Sequence, residues 1–313
     1  MCFNKIMRIQ VTAWLVIFFS ACRESGLRII EMKTVNYPSG SAAEYYKNNI
    51  YIVGDDARSV LIMDRSLNII DSIPIAEEGA YRISKNIKHD LEAITLMGSR
   101  SRSLLVLGSG SELPQRGFGL VLDPVSRDTQ HLDLNPLYER IKKAGLKELN
   151  IEGVAYAQGN YILSNRGHMG ARNNHLIFLP DGFWNNQDSV DFTISRIGYD
   201  SGKEFNGVSG LDYSFARDKL LITLSTEHTS GTSSDGAIGK SYLWLVDNIA
   251  RSKGYEGINP FRMIDLNKED KRFKGHKVES VTVLSEKRKE MELLLVSDND
   301  DGKTTLFRVA LKL

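Results

Sequence analysis

The sequence is short of three things, and each shortage removes a class of protein. Its charge has no dominant sign, with 40 Lys plus Arg against 39 Asp plus Glu in 313 residues. No long basic run interrupts that balance, so the electrostatic footprint of a nucleic-acid binder is missing. It has only two cysteines, Cys2 and Cys22, too few for a disulfide framework. Its one markedly apolar N-terminal stretch, Val11 to Phe19, falls short of the roughly 20 residues that a membrane-spanning helix needs.

What that stretch does fit is a secretory signal. Lys5 and Arg8 precede it and Ser20-Ala21-Cys22 follows it, the order of a charged region, an apolar region and a small-residue cleavage site. Small residues directly before a cysteine resemble the bacterial lipoprotein cleavage site, with Phe19 standing where Leu is usual. The organisation expected is a signal peptide over 1–21, a tether over 22–26 lipidated at Cys22, and a folded body over 27–313. A plain signal peptide or a short membrane anchor is the alternative. Cleavage leaves 38 basic residues against 39 acidic and a single cysteine. An envelope protein without an internal disulfide must hold itself together by packing and sheet closure.

The body is repetitive. Asp90-Leu91-Glu92-Ala93-Ile94-Thr95, Asn150-Ile151-Glu152-Gly153-Val154-Ala155, Gly207-Val208-Ser209-Gly210-Leu211-Asp212 and Lys277-Val278-Glu279-Ser280-Val281-Thr282 read as variants of one strand. Ala43-Glu44-Tyr45-Tyr46 reads as a fainter copy. With Glu44, Glu92, Glu152, Ser209 and Glu279 taken as equivalent, the steps are 48, 60, 57 and 70 residues, a loose period typical of repeat units with loop insertions. Behind each start lies an almost continuous apolar run, such as Leu104 to Ser109 or Leu293 to Asp298, the pattern of a strand buried on both faces. A third strand follows in every unit and a fourth in all but the last.

The missing fourth strand has a candidate at the other end of the chain, where Leu27 to Val35 alternates apolar and polar residues. Supplying it to the last unit closes the ring through the two termini and removes exposed sheet edges. The expected fold is therefore all-β, a five-bladed β-propeller and a monomer. A six-bladed ring is the alternative if 231–262 holds a further blade. One helix is predicted over Pro136 to Lys147, with proline at the first helical position, Asn135 as its cap and an apolar stripe of Leu137, Ile141 and Leu146.

Blade topology brings the first-strand starts, the second-strand ends and the loops from second to third strand to one end of the ring. Glu44, Glu92, Glu152 and Glu279 meet there with Asn165 and Asp298, and long loops on a rigid scaffold are where binding concentrates. Like charges converging in a channel are costly without a cation, a proton or hydrogen-bond donors between them. Glu92, Glu152, Asn165, Glu279 and Asp298 offer the oxygen donors that calcium or magnesium takes. The alternative is that each glutamate accepts backbone N–H bonds from the next blade. Arg58, Arg116, Arg172, Lys240 and Lys303 recur in the second-to-third loops, and with Arg166, His168 and His228 form the candidate ligand-binding set. His89 and His276 each stand three residues before a glutamate, which makes them, with Glu92, Glu152 and Glu279, the candidate acid–base groups.

The Asp-x-Glu-(Ala/Gly)-(Ile/Val) starts, with the Gly-Ser and Ser-Asn strand ends behind them, resemble a group of bacterial propellers that includes SdiA-regulated proteins and esterase-like phytase domains, and within it an uncharacterised family of Bacteroidota lipoproteins. The resemblance spans about residues 40 to 313, and Glu92, Glu152 and Glu279 carry its signature. It implies phosphate-ester hydrolysis, with calcium in some propeller phytases. Two departures stand out: Ser209 replaces the glutamate in the fourth unit, and Glu44 lies in a degenerate copy. The leading expectation is an outer-membrane lipoprotein that binds a small-molecule or extracellular ligand at the polar mouth of its channel. A metal-dependent hydrolase of phosphate esters or lactones and a protein-interaction scaffold are the alternatives.

Overall fold

The structure, a computed structural model, describes residues 26–98, 102–197, 205–227, 238–250, 258–299 and 301–313. The chain opens with strand β1 (Leu27–Val35). The first blade is β2 (Gly40–Tyr46), β3 (Asn49–Gly54), β4 (Ser59–Asp64) and β5 (Ile69–Pro74); the second is β6 (Leu91–Leu96), β7 (Leu104–Gly108), β8 (Phe118–Leu122) and β9 (Thr129–Asp133). Helix α1 (Asn135–Lys143) leads to the third blade, β10 (Ile151–Ala157), β11 (Asn160–Asn165), β12 (Asn174–Pro180) and β13 (Thr193–Ile197). The fourth is β14 (Asn206–Ser214), β15 (Lys219–Glu227), β16 (Ile238–Asp247) and β17 (Arg262–Asp265); β18 (Lys277–Lys287), β19 (Glu290–Asp298) and β20 (Thr304–Lys312) begin the fifth.

β1 completes that last blade, pairing antiparallel with β20 from Leu27 opposite Leu311 to Val35 opposite Thr304. The expected closure by the N-terminal strand is therefore present, and the five inner strands β2, β6, β10, β14 and β18 touch in a closed cycle around the axis. The fold is an all-β, five-bladed propeller.

Alternation of side chains along the second strands explains why the blades stack. On β3, Ile50 and Ile52 enter the core shared with the fifth blade, whereas Tyr51 and Val53 enter the core shared with the second. Five such interblade cores run around the ring, which is why these strands read as continuous apolar runs. α1 starts at Asn135, and Asn135 does not cap it: the N-cap is Leu134 and no side chain accepts there. Its buried Leu137, Tyr138 and Ile141 fill the wedge between blades two and three, and the Tyr138 hydroxyl donates to the Gly108 carbonyl at 2.9 Å.

Candidate functional site

Each inner strand carries one extra residue near its start. The register of the first two strands slips between Gly40 and Ala42, Leu91 and Ala93, Ile151 and Gly153, Val208 and Gly210, and Val278 and Ser280. The bulged residues are thus Ser41, Glu92, Glu152, Ser209 and Glu279. A β-bulge re-aims the side chain it carries and sharpens the local bend. The repeated glutamate is therefore the bulge position of a blade.

This register corrects the first copy, where the residue equivalent to Glu92 is Ser41 and not Glu44. A signal for the right alignment was present in the residue after the bulge, which is always small: Ala42, Ala93, Gly153, Gly210 and Ser280. The inner strands approach too closely there for more. A Cβ on Gly153 would lie 2.6 Å from the Leu211 nitrogen, and one on Gly210 would lie 2.5 Å from the Glu279 carbonyl oxygen.

Glu44 instead lies one layer deeper, level with Thr95, Asp212 and Thr282. It accepts the N–H of Tyr45 at 3.0 Å and of Leu96, on the next blade, at 3.3 Å. Asp212 repeats the device with the N–H groups of Tyr213 and Val283, each at 2.6 Å. Carboxylates that tie neighbouring blades through backbone amides thus occur, but at this deeper layer. Burial first, then the Asp212 charge, pushes the Glu44 carboxyl well above its usual range, and burial raises Asp212 to about 6.

At the mouth, the three glutamates each have a cation at hand. Lys277 Nζ lies 2.7 Å from Glu279, Arg166 lies 4.0 Å from Glu152, and Lys88 acts on Glu92. Arg166 also donates to the Ser225 hydroxyl at 3.2 Å and the Val208 carbonyl at 3.3 Å. It thereby spans from blade three to the start of blade four, where Ser209 stands in place of an acid and donates to the Val278 carbonyl at 2.8 Å.

The densest knot joins blades one and two. Asp55, Asp90 and Glu92 bring one oxygen each within 4.8 Å of one another. Lys88 Nζ donates to Asp55 and lies 2.7 Å from Asp90, whose other oxygen accepts from Arg116 at 3.1 Å and from Ser109. Asp90 holds a left-handed backbone, φ 57°, which aspartate tolerates better than most residues. Burial opposes the Asp90 charge, but Lys88 and Arg116 outweigh it and keep the carboxyl below its usual range. Burial, followed by the charges of Glu152, Asp90 and Asp55, drives Glu92 the other way, well above 4.5. Asp55 rises through burial to about 6 despite Lys88. Burial also disfavours charge on Lys88, yet Asp55, Asp90 and Glu92 overcome it and push its pKa up.

The remaining candidates sort into engaged and outlying groups. Arg58 donates to the carbonyls of Ala80 and Glu77 and braces the loop after β5. Arg116 is buried against Asp90, Ser111 and Glu112. His89 stacks on Phe118 with ring centroids 3.9 Å apart, its Nδ1 3.3 Å from the Gln115 carbonyl. His276 meets Asn299 at 3.0 Å and the edge of Phe307, and burial lowers its pKa. Asn165 spends its side-chain oxygen on the Asn150 N–H at 2.8 Å. Asp298 is buried at the mouth, near enough for its charge to act on Arg82. Lys240 and Lys303 are exposed. His228 and Cys22 lie outside the described residues. Sequence reasoning missed Asp55, Lys88 and Asp90 as a unit, because Asp55 and Lys88 stand 33 residues apart and neither repeats at the blade period.

A cavity of about 440 Å³ opens beside the ring at blade three, lined by Glu148, Asn165, Arg166, His168 and Asn173 among others. His168 Nδ1 accepts the Gly170 N–H at 3.1 Å, which leaves Nε2 to donate to Glu148. Arg172 stands half-buried in the same loop. Asn165 and Arg166 belong both to this cavity and to the mouth.

A five-bladed propeller with a charge-paired mouth and a side cavity is the class that these features define. The chain belongs to a family of unknown function, DUF6929, which matches residues 36–311. No curated protein matches the sequence. Among solved structures it is similar to the glutaminyl cyclase of Myxococcus xanthus, at 9% identity and a TM-score of 0.53, covering 92% of this chain and 97% of that one. It is also similar to a DUF4221 member from Bacteroides vulgatus, with 9% identity, TM-score 0.40 and coverage of 93% and 100%. A streptogramin B lyase gives 8% identity, TM-score 0.37 and coverage of 88% and 86%. At these identities the likeness is one of fold. Among the described residues no helix is long and apolar enough to cross a membrane.

Proposed function

We propose that this protein is an envelope lipoprotein, lipidated at Cys22, whose propeller binds a small polar ligand at the mouth of its channel. The observation that carries the reading is the blade-three cavity. It is concave and of ligand size, and it draws Arg166 and Asn165 from the mouth into one wall with His168 and Glu148, a mixture of apolar wall and few oriented polar groups that suits a small molecule. Its donors and acceptors fit a ligand bearing both hydroxyl and carboxylate groups. Thermal-shift titration of the chain from residue 23 against sugar acids, phosphate monoesters and short peptides tests this. A compound that raises the midpoint of the wild type should lose its effect on an E148Q/H168A variant, whose own midpoint stays close to normal. A panel without any binder, or a binder indifferent to both changes, sinks the reading.

One observation favours hydrolysis as the second reading. Burial, then the charges of Glu152, Asp90 and Asp55, push the Glu92 carboxyl well above its usual pKa, the kind of tuning that general acid–base catalysis uses. Calcium or magnesium fits less well. The three converging carboxylates already hold the Lys88 ammonium, and a divalent ion would have to displace it. Phosphate, lactone and carboxyl ester substrates, assayed with wild type and E152Q, decide the matter: turnover that survives E152Q, or none at all, excludes this site as catalytic.

A further inference from the structure

We infer that the face of the propeller opposite the mouth, at the corner of blades four and five, is the surface that rests on an anionic lipid bilayer, so that the mouth points away from the leaflet holding the anchor. This rests on the reading that Cys22 is lipidated. The direction of β1 sets the geometry. Its last residue, Val35, pairs with Thr304 beside Asp298 and Lys277, at the mouth. Its first, Leu27, pairs with Leu311, and the Gly26 carbonyl accepts the Lys312 N–H at 2.7 Å, at the far end of the blade. Cys22 precedes Gly26 by four residues, a reach of at most about 14 Å at roughly 3.6 Å per residue. The nine residues of β1 at about 3.3 Å each put the mouth roughly 30 Å further on. A tether that short cannot turn the body over.

The surface at that corner has the chemistry of a membrane contact. Phe215 and Phe261 are each 60% exposed and Leu313 is 40% exposed. Phe215 lies in the β14–β15 turn, Phe261 just before β17, and Leu313 bonds to the Lys289 carbonyl at 3.0 Å. Between them Lys287 at the end of β18, and Arg288 and Lys289 in the turn to β19, are all exposed. Among the acids of the described residues here, Glu286 lies 3.4 Å from Arg217 and Asp247 accepts from Lys219, and the half-buried Glu290 stands opposite Lys287 and Lys312, so basic side chains are in excess. Exposed aromatic and aliphatic groups interspersed with basic side chains are what an anionic headgroup layer attracts.

Lysine footprinting on vesicles tests the orientation. The chain beginning at Cys22, which contains the whole ring, is coupled through that thiol to a maleimide lipid in vesicles of phosphatidylcholine with phosphatidylglycerol. It is then acylated with a water-soluble reagent and mapped by mass spectrometry. Labelling of Lys287, Lys289 and Lys312 should fall several-fold relative to the free chain, while Lys85 and Lys303 at the mouth are unchanged. Pure phosphatidylcholine should weaken the protection at all three, and a K287E/K289E variant should weaken it at Lys312, the lysine it retains there. Equal labelling of both faces, or protection at the mouth, overturns the inference. Coupling is chemical, so this outcome does not depend on natural lipidation. That reading is tested separately by the mass of the full chain recovered from membranes, which without an acyl addition at Cys22 fails by itself.

Discussion

A Cβ on Gly207 would lie 2.6 Å from Nε of Arg166, so the glycine that opens blade four is the slot through which the blade-three arginine reaches Ser225 and Val208. Adding a methyl there forces the buried guanidinium out. Gly207→Ala should cost about 2 kcal/mol, an ordinary overpacking penalty, measured by urea unfolding. With Arg166→Ala already in place the same change should cost clearly less, because the two substitutions share one contact. Additive costs would contradict the slot.

Lys88 is the ammonium at the centre of the Asp55, Asp90 and Glu92 knot. Lys88→Met leaves Asp55, Asp90 and Glu92 facing one another without it, and should destabilise the fold by about 3 kcal/mol near neutral pH, as removal of one partner from a buried pair does. The loss should shrink as pH falls through about 6, where Asp55 takes up a proton. Millimolar calcium or magnesium should raise the melting midpoint of this variant and leave the wild type unmoved. A wild type that responds equally would show that the ammonium does not exclude the ion.

Asp212 sets a pH dependence of opposite sense to that of a carboxylate whose pKa folding lowers, such as Asp90. Its pKa rises from 3.8 to about 6 through burial, so between those values the folded state holds more protons than the unfolded one. Stability therefore falls as pH rises across that window. Glu44, raised in the same channel layer, adds to the slope. Thermal unfolding monitored by circular dichroism should show Asp212→Asn flattening the curve, with its largest relative gain on the alkaline side. An unaltered slope would remove Asp212 as the cause.

Gly210 permits a close approach between inner strands, with a hypothetical Cβ 2.5 Å from the Glu279 carbonyl oxygen. The obstruction is backbone, which cannot swing aside as a side chain can. Gly210→Ala should cost about 3 kcal/mol and lower the urea midpoint without changing the slope. A cost below the error of the measurement would mean that the ring opens readily.

Much of this architecture is legible in the sequence. Apolar runs such as Leu104 to Ser109 and Leu293 to Asp298 mark doubly buried strands because one strand feeds two cores, and the lone alternating stretch Leu27 to Val35 announced the closure of the ring. Glu92, Glu152 and Glu279 were recognisable as one position. Their counterpart in the first blade was harder to see, since a bulge is a property of pairing: the small Ala42 after it was the one sequence signal, and the register between β2 and β3 places the bulge at Ser41. His89 and His276 recur in sequence yet are held by Phe118 and Phe307, contacts made by residues far along the chain.

The sequence by itself determined the blade repeat, the strand that closes the ring and the end where polar groups collect, because these follow from periodicity and chain direction; the five sheets fixed the count against a sixth. Tertiary structure alone decided which charges meet. Lys88 reaches Asp55 and Asp90, and Arg166 reaches across to blade four, only once the blades have closed and brought distant segments within the few ångströms over which a buried charge is felt.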